Sequence, residues 1–254
     1  MSVFKNILIT GASSGIGEAL AIYYARHGAE NLFLCGRNAK RLTAVAKECK
    51  QYKSTKVHTK VIDISDKESV DWWIKECNTE APLDLVFANA GISTGEENSV
   101  NAYKTFATNV MGVVNTVLPT IDIYQKELSD KRRGIVITSS IAGYHGLMTC
   151  PSYSASKSCV KAWGEALRLS LKPQNIQVNV VCPGFVRSRI TDKNTCPMPF
   201  FMEAEQAAEI IGYRVEKNVG LIAFPWPMRF AAWIGSVLPN WLSELIYSKL
   251  PYKV

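Results

Sequence analysis

Short apolar runs alternate with longer amphipathic stretches along nearly the whole chain. The runs KNILIT (5–10), NLFLC (31–35), KVHTKVID (56–63), LDLVFAN (83–89), GIVITS (134–139), IQVNVVC (176–182) and LIAF (221–224) read as strands. Between them, helix-patterned stretches cover 16–28, 39–53, 66–79, 100–128, 152–172 and 203–216. Strands that alternate strictly with helices imply right-handed crossovers and a parallel sheet covered on both faces. The expected fold is therefore α/β, a doubly wound parallel sheet of about seven strands with helices on both faces. No linker, repeat or low-complexity segment breaks the pattern, so 1–254 reads as one domain.

Composition changes this picture little. The 254 residues are 47% hydrophobic and 20% charged, as expected for a soluble globular protein with a large core. The formal net charge of +7 raises the question of nucleic acid. The basic residues, such as Lys47, Lys50, Lys53, Lys56 and Lys60 or the turn 129–134, fall in solvated-looking places without interleaved aromatics. That excludes a nucleic-acid groove and leaves at most an attraction for phosphates or anionic surfaces. Seven cysteines show no CxxC pair and no metal-ligand spacing with the three histidines, so no metal is expected. With no secretory signal at the start, the reading is a cytoplasmic chain with reduced thiols.

Ligands of such sheets bind outside the carboxyl ends of the strands, and the candidate residues fall there. TGASSGIG (10–17) follows the first strand and opens the first helix. Gly11 permits a tight turn, Gly15 close backbone approach and Gly17 close helix–sheet packing, while Ile16 stands between the last two. The free N–H groups of the helix start can then hold a pyrophosphate. At the end of the second strand, Gly36 takes the position where an acidic residue would bind a ribose 2′-hydroxyl, and Arg37 follows. A guanidinium suits a 2′-phosphate, with Ser13 or Ser14 adding a hydroxyl, so NADP(H) is expected over NAD(H). Asp63 is either an acceptor for an adenine amino group, with Ile64 beside the ring, or a turn or cap aspartate. Asn89, Ala90 and Gly91 end the fourth strand and let the backbone approach a ribose.

Ser139 and Ser140 end the fifth strand, where a hydroxyl can hold a substrate carbonyl. Tyr153 and Lys157 in YSASK lie four apart, on one helical face. An ammonium beside a phenol should lower the tyrosine pKa and make it an acid or base near neutrality. Asn109, in the middle of a helical stretch, needs a reason to be there, and a water relay from Lys157 is one.

The set TGASSGIG, NAG (89–91), Asn109, Ser140, YSASK (153–157) and PG (183–184) resembles the short-chain dehydrogenase/reductase family, in its single-domain branch of about this chain's length. The resemblance implies a Rossmann-like fold and an NADP(H)-dependent oxidoreductase acting on CH–OH or C=O groups. It makes Tyr153 the general acid/base, Lys157 the residue that lowers its pKa and meets the nicotinamide ribose, and Ser140 the catalytic serine. It makes Asn109 part of a proton relay and sets Asn89 near the ribose. Pro183, Gly184 and Val186 pass the nicotinamide, and Ser188 stands where the family often has a carboxamide-binding threonine. A carbonyl reductase is the expected activity. The rivals are an NAD-dependent alcohol dehydrogenase and a catalytically silent NADP-sensing or scaffold protein. The family often pairs subunits through the helices carrying Asn109 and Tyr153, so a homodimer or homotetramer is expected, with Ala155, Ala162 and Ala166 at the contact.

By this reading 1–190 is the cofactor-binding and catalytic core, 191–220 a substrate lid and 225–254 a C-terminal helical tail. Substrate contacts are expected from loops 93–97, 141–149 and 185–202, with Tyr144, His145, Leu147 and Met148 as candidates. The aromatic and methionine content of 196–202 points to a bulky apolar or lipid-linked small-molecule substrate. The tail carries Trp226, Trp233 and Trp241, and Pro225, Pro227 and Pro239 break it. Two short amphipathic helices near 228–237 and 240–249 fit it better than a membrane span. It reads as a flap, a subunit contact or a peripheral membrane anchor.

Overall fold

The computed structural model describes residues 2–52, 54–127, 132–193 and 197–248. Lys53, positions 128–131, Cys196 and the end of the tail at 249–254, all part of the expectations above, lie outside the described residues.

Seven parallel strands, β1 (Asn6–Thr10), β2 (Asn31–Gly36), β3 (Lys56–Val61), β4 (Leu85–Ala88), β5 (Arg133–Thr138), β6 (Ile176–Pro183) and β7 (Leu221–Phe224), form one sheet. Its order is β3-β2-β1-β4-β5-β6-β7. The chain builds outward from β1 to β3, then crosses over to β4, so the switch point of strand order lies between β1 and β4. Strand alternation sends Ile7 and Ile9 into one core and Leu8 into the other. The first core is closed by α1 (Gly15–Arg26), α2 (Ala39–Cys49) and α7 (Ala204–Glu216). The second is closed by α3 (Lys67–Glu80), α5 (Gly112–Lys126) and α6 (Pro151–Leu171). These are the two helical layers that the periodicity predicts.

Three differences matter for the site. The single helix expected over 100–128 is α4 (Ser99–Phe106) and α5, joined by a π-helical turn, Ala107–Met111, that contains Asn109. The expected lid, 191–220, divides. Its second half is α7, whose Ala207, Ala208, Ile211 and Val215 are buried against the α1 layer, and Met202 just before it also packs on that core. In the tail, α8 (Trp226–Val237) and α9 (Asn240–Tyr247) are two short helices near the expected positions. Among the described residues, no helix is long and apolar enough to cross a membrane.

Candidate active site

The carboxyl ends of β1, β4 and β5 are laced together by side chains. Thr10 Oγ1 accepts the N–H groups of Asn89 and Ala90 at 3.0 and 3.1 Å and donates to Phe87 O at 3.1 Å. Asn89 Nδ2 donates to Thr10 O at 3.1 Å, and its Oδ1 accepts from Thr138 Oγ1 at 3.3 Å. Asn89 is thus committed to holding three strand ends in register. The glycine turn packs on this lacing. Gly11 has φ +70°, and a Cβ there would stand 2.7 Å from Ala90 Cα. A Cβ on Gly17 would stand 2.4 Å from Gly11 O, so the turn and the first helical residues close only on glycine.

A cleft of about 620 Å³ opens over the switch point. Of the sequence-predicted residues, the glycine turn contributes Gly11, Ser13, Ser14 and Ile16 to its wall, while Gly15 and Gly17 stand behind it. Arg37, Asp63 and Ile64 line one end, and Asn89, Ala90 and Gly91 line the middle. Ser140, Tyr153 and Lys157 face Pro183, Gly184, Val186 and Ser188 at the other end. Asn109 does not line the cleft.

Burial shapes the chemistry of the Tyr153–Lys157 pair. Lys157 is 3% exposed, and its Nζ donates to Thr138 O at 2.9 Å. Burial pulls its pKa down to about 8. Tyr153 moves the other way. Burial pushes its phenol up to about 12, against the pull of a hydrogen bond with the Ser140 hydroxyl. The expected lowering of the tyrosine pKa by Lys157 is therefore overturned. One N–H of the amine goes to the Thr138 carbonyl, the Nζ lies 5.9 Å from the tyrosine ring centroid, and desolvation is the largest influence on the phenol.

The two serines separate cleanly. Ser139 is buried and donates to Lys157 O at 2.7 Å, a strut between β5 and α6. Ser140 accepts from Ala142 N at 3.1 Å, donates to Pro183 O at 3.4 Å and lines the cleft together with Tyr153. Asn109 is fully buried, accepts from Ile92 N at 2.8 Å and donates to Ile92 O at 2.9 Å and Ser156 Oγ at 3.1 Å. Both its amide hydrogens are used, and they tie the loop after β4 to α6.

At the other end, Arg37 pairs with Asp63 at 3.6 Å, both side chains nearly half exposed. Burial pushes the Asp63 carboxyl up, but hydrogen bonds from the Ser65 N–H and hydroxyl, with the Arg37 guanidinium, outweigh it and hold the pKa below the usual value. Asp63 is thus a turn aspartate that also faces the cleft. Ser13 packs against Gly36, which puts it beside Arg37, whereas Ser14 is the N-cap residue of α1.

Sequence reasoning missed Thr10 and Thr138, which fix the strand ends, and Arg41, which lines the cleft from the first turn of α2, four residues beyond Arg37. Arg41 Nε is buried without a hydrogen-bond partner. The four-residue spacing from Arg37 was the available signal. Lys104, Arg189 and Thr191 also line the cleft and were not singled out. Tyr144, His145, Leu147 and Met148 do not line it. Tyr144 instead packs beside Val180, Cys182 and Ala223 at the β6–β7 side of the sheet.

A doubly wound sheet with a glycine turn at its switch point and a serine, tyrosine and lysine gathered across the cleft defines a class of nucleotide-dependent oxidoreductases. The chain belongs to the short-chain dehydrogenase family, whose model matches residues 5–197. A protein of Myxococcus xanthus described as an uncharacterized oxidoreductase is 33% identical over 97% of this chain and 98% of its own. Among solved structures, a short-chain dehydrogenase from Sphingobium yanoikuyae in complex with NADPH superposes with a TM-score of 0.79. It is 22% identical and covers 97% of this chain and 96% of its own. A short chain dehydrogenase of Mycobacterium paratuberculosis bound to NAD superposes with a TM-score of 0.74 at 21% identity, over 86% and 95%.

Proposed function

We propose that this protein is an NADP(H)-dependent reductase that transfers hydride to the carbonyl of an apolar small molecule. The observation that carries the reading is the gathering of Ser140, Tyr153 and Lys157 on the wall of one cleft, with Lys157 buried one helical turn from Tyr153. The cleft residues fit an adenine dinucleotide bearing a 2′-phosphate. The buried and unpartnered Nε of Arg41 lacks an acceptor that such a phosphate provides, and Arg37 and Ser13 border the same corner. The glycine turn and the N–H groups of α1 would hold the pyrophosphate. Asp63 and Ile64 would flank the adenine, and Asn89, Ala90, Gly91 and Lys157 the nicotinamide ribose. Pro183, Gly184, Val186 and Ser188 would border the nicotinamide, with Ser188 toward its carboxamide. When bound, the nicotinamide supplies the hydride.

The chain's own groups handle the proton. With its pKa at about 12, Tyr153 is a protonated phenol at neutral pH, ready to donate to a carbonyl oxygen as hydride arrives at carbon. In the reverse direction the phenolate would accept the proton of an alcohol hydroxyl. Ser140 orients the carbonyl, and Lys157 supports the ribose side. Asn109 acts as a positioning residue that fixes Ile92 and, through Ser156, the first turns of α6.

The test is NADPH consumption across a panel of carbonyl compounds with Tyr153→Phe as control. Turnover in that variant is expected to fall by roughly two to four orders of magnitude. Cofactor binding without turnover on the whole panel would revive the scaffold reading. Equal affinity for NADH and NADPH would favour the NAD-dependent alcohol dehydrogenase.

The substrate class rests on the tail. Trp226, Phe230, Trp233 and Val237 repeat at helical spacing on α8 and are 77%, 54%, 52% and 62% exposed. Trp241, Leu245 and Ile246 continue the exposed apolar face on α9. The buried side of α8 reaches the site, since Met228 Sδ would lie 2.8 Å from a Cβ on Gly184. A face of this kind beside the cleft supports peripheral contact with a membrane that holds the apolar substrate, in a protein of the cytoplasm. Exposed Val100, Tyr103, Met111 and Leu118 along α4, the π-helical turn and α5, with Leu169 on α6, support a homodimer or homotetramer paired through those helices.

A further inference from the structure

Helix α6 carries both Tyr153 and Lys157, yet its own N-terminus is poorly closed. Cys150 stands at the N-cap position, and its side chain makes no cap hydrogen bond. A thiol is a weak acceptor where serine, threonine, aspartate or asparagine normally serves. Pro151, at the start of the helix, has no N–H to satisfy, so the donors that need partners begin at Ser152.

Both polar groups of Ser152 go to a single carboxylate from a distant part of the chain. Its N–H donates to Glu97 Oε2 at 3.2 Å, and its hydroxyl donates to Glu97 Oε1. Ser152 is 5% exposed, so without Glu97 these groups would be left dry and unpaired. Glu97 sits in the loop between β4 and α4, and that loop is pinned on either side of it. Asn109 exchanges two hydrogen bonds with Ile92 before it. After it, Asn98 caps α4, and Asn101 Nδ2 donates to Glu96 O at 3.0 Å. The same loop borders the cleft through Ser93 and Thr94.

We propose that Glu97 is a positioning residue: it caps the helix that bears Tyr153, in place of Cys150, from the loop that walls the cleft. A carboxylate here satisfies the first free donor and complements the positive end of the helix dipole. Tyr153 follows Ser152 directly, so the cap fixes the turn that sets the phenol in the cleft that Ser140 also lines. Loop and helix start thereby form one unit, and the aim of the phenol is set together with the width of the substrate entrance. The kinetic consequence rests on the reductase reading above; the structural one does not.

Three variants test it: Glu97→Ala, Glu97→Gln and the double variant Glu97→Ala/Cys150→Ser. Loss of a cap corresponds to a roughly 3- to 30-fold change. The expected result for Glu97→Ala is a fall in kcat of that order, with the dissociation constant for NADPH unchanged. Glu97→Gln keeps an acceptor oxygen and should keep most of kcat. The double variant gives α6 a cap of its own and should recover kcat, while KM for the carbonyl, which Glu97→Ala also raises, stays raised because Glu97 no longer ties the loop to α6. Hydrogen–deuterium exchange over 150–157 should quicken in Glu97→Ala and slow again in the double variant. Unchanged exchange in Glu97→Ala, or no recovery with Cys150→Ser, overturns the proposal. So does a parallel loss of NADPH affinity, which marks general loosening. If the wild-type protein reduces no carbonyl, the reductase reading falls, and the exchange measurement still decides whether Glu97 is the cap.

Discussion

Tyr153 and Lys157 share a helix face, and burial drives their proton affinities apart, the phenol up to about 12 and the amine down to about 8. The spacing of the pair was legible in the sequence, but the direction of the tyrosine shift was not, because desolvation belongs to the packed site. The lysine shift has a measurable sign. Between pH 8 and 10.5 the unfolded chain holds a proton at Lys157 that the folded chain has lost, so the contribution of Lys157 to stability rises with pH across that window. Below it, the penalty of a buried ammonium is present in full. The denaturant midpoint of the wild-type protein should therefore climb from pH 8 to 10 relative to Lys157→Met, and parallel curves would show that the amine is not desolvated. Arg41 makes a second case at this scale. Its unpartnered Nε fits a 2′-phosphate, so Arg41→Ala should weaken NADPH roughly 10- to 100-fold and leave NADH nearly unchanged. Equal losses for both cofactors in a binding titration would move Arg41 to the shared part of the site.

At the scale of elements, the alternation of strand and helix carried most of the fold, because period-two and period-3.6 patterns are set locally. What it could not carry was the π-helical turn Ala107–Met111, since one extra residue in a helix leaves the apolar pattern on either side intact. The sign of it in the sequence was Asn109, a polar residue in a place that should be apolar. Its partners turn out to be both backbone groups of Ile92 and the hydroxyl of Ser156. Asn109→Ala would leave the Ile92 N–H and C=O unpaired beside the cleft. The expected cost is about 1–3 kcal/mol for such groups, read from the denaturant midpoint, together with a lower kcat. A variant with wild-type stability would mean that water replaces the amide without loss. The lid was misjudged for a related reason. Residues 204–216 are amphipathic, and the sequence does not tell a helix that covers a cleft from one that packs on α1.

For the whole molecule, the open question is what meets the apolar face of α8 and α9. Among the described residues these rings are left exposed, and a lipid surface stands against a second copy as their occupant. The formal charge of +7 complements an anionic membrane, and tryptophan favours the interface, where an apolar body meets water. Each half-exposed ring gains on the order of 1–2 kcal/mol from entering the interface. Removing two of them should thus weaken binding by at least about tenfold. The variant Phe230→Ser/Trp233→Ser is expected to lose sedimentation with vesicles containing phosphatidylserine, and the wild-type binding should weaken as salt is raised. Turnover of a water-soluble carbonyl should be unchanged in the variant, because neither ring lines the cleft. Turnover of a carbonyl dissolved in those vesicles should fall with the binding. Should the wild-type protein ignore vesicles and the variant instead lower its oligomeric state, the face is a subunit contact, and the substrate need not come from a membrane.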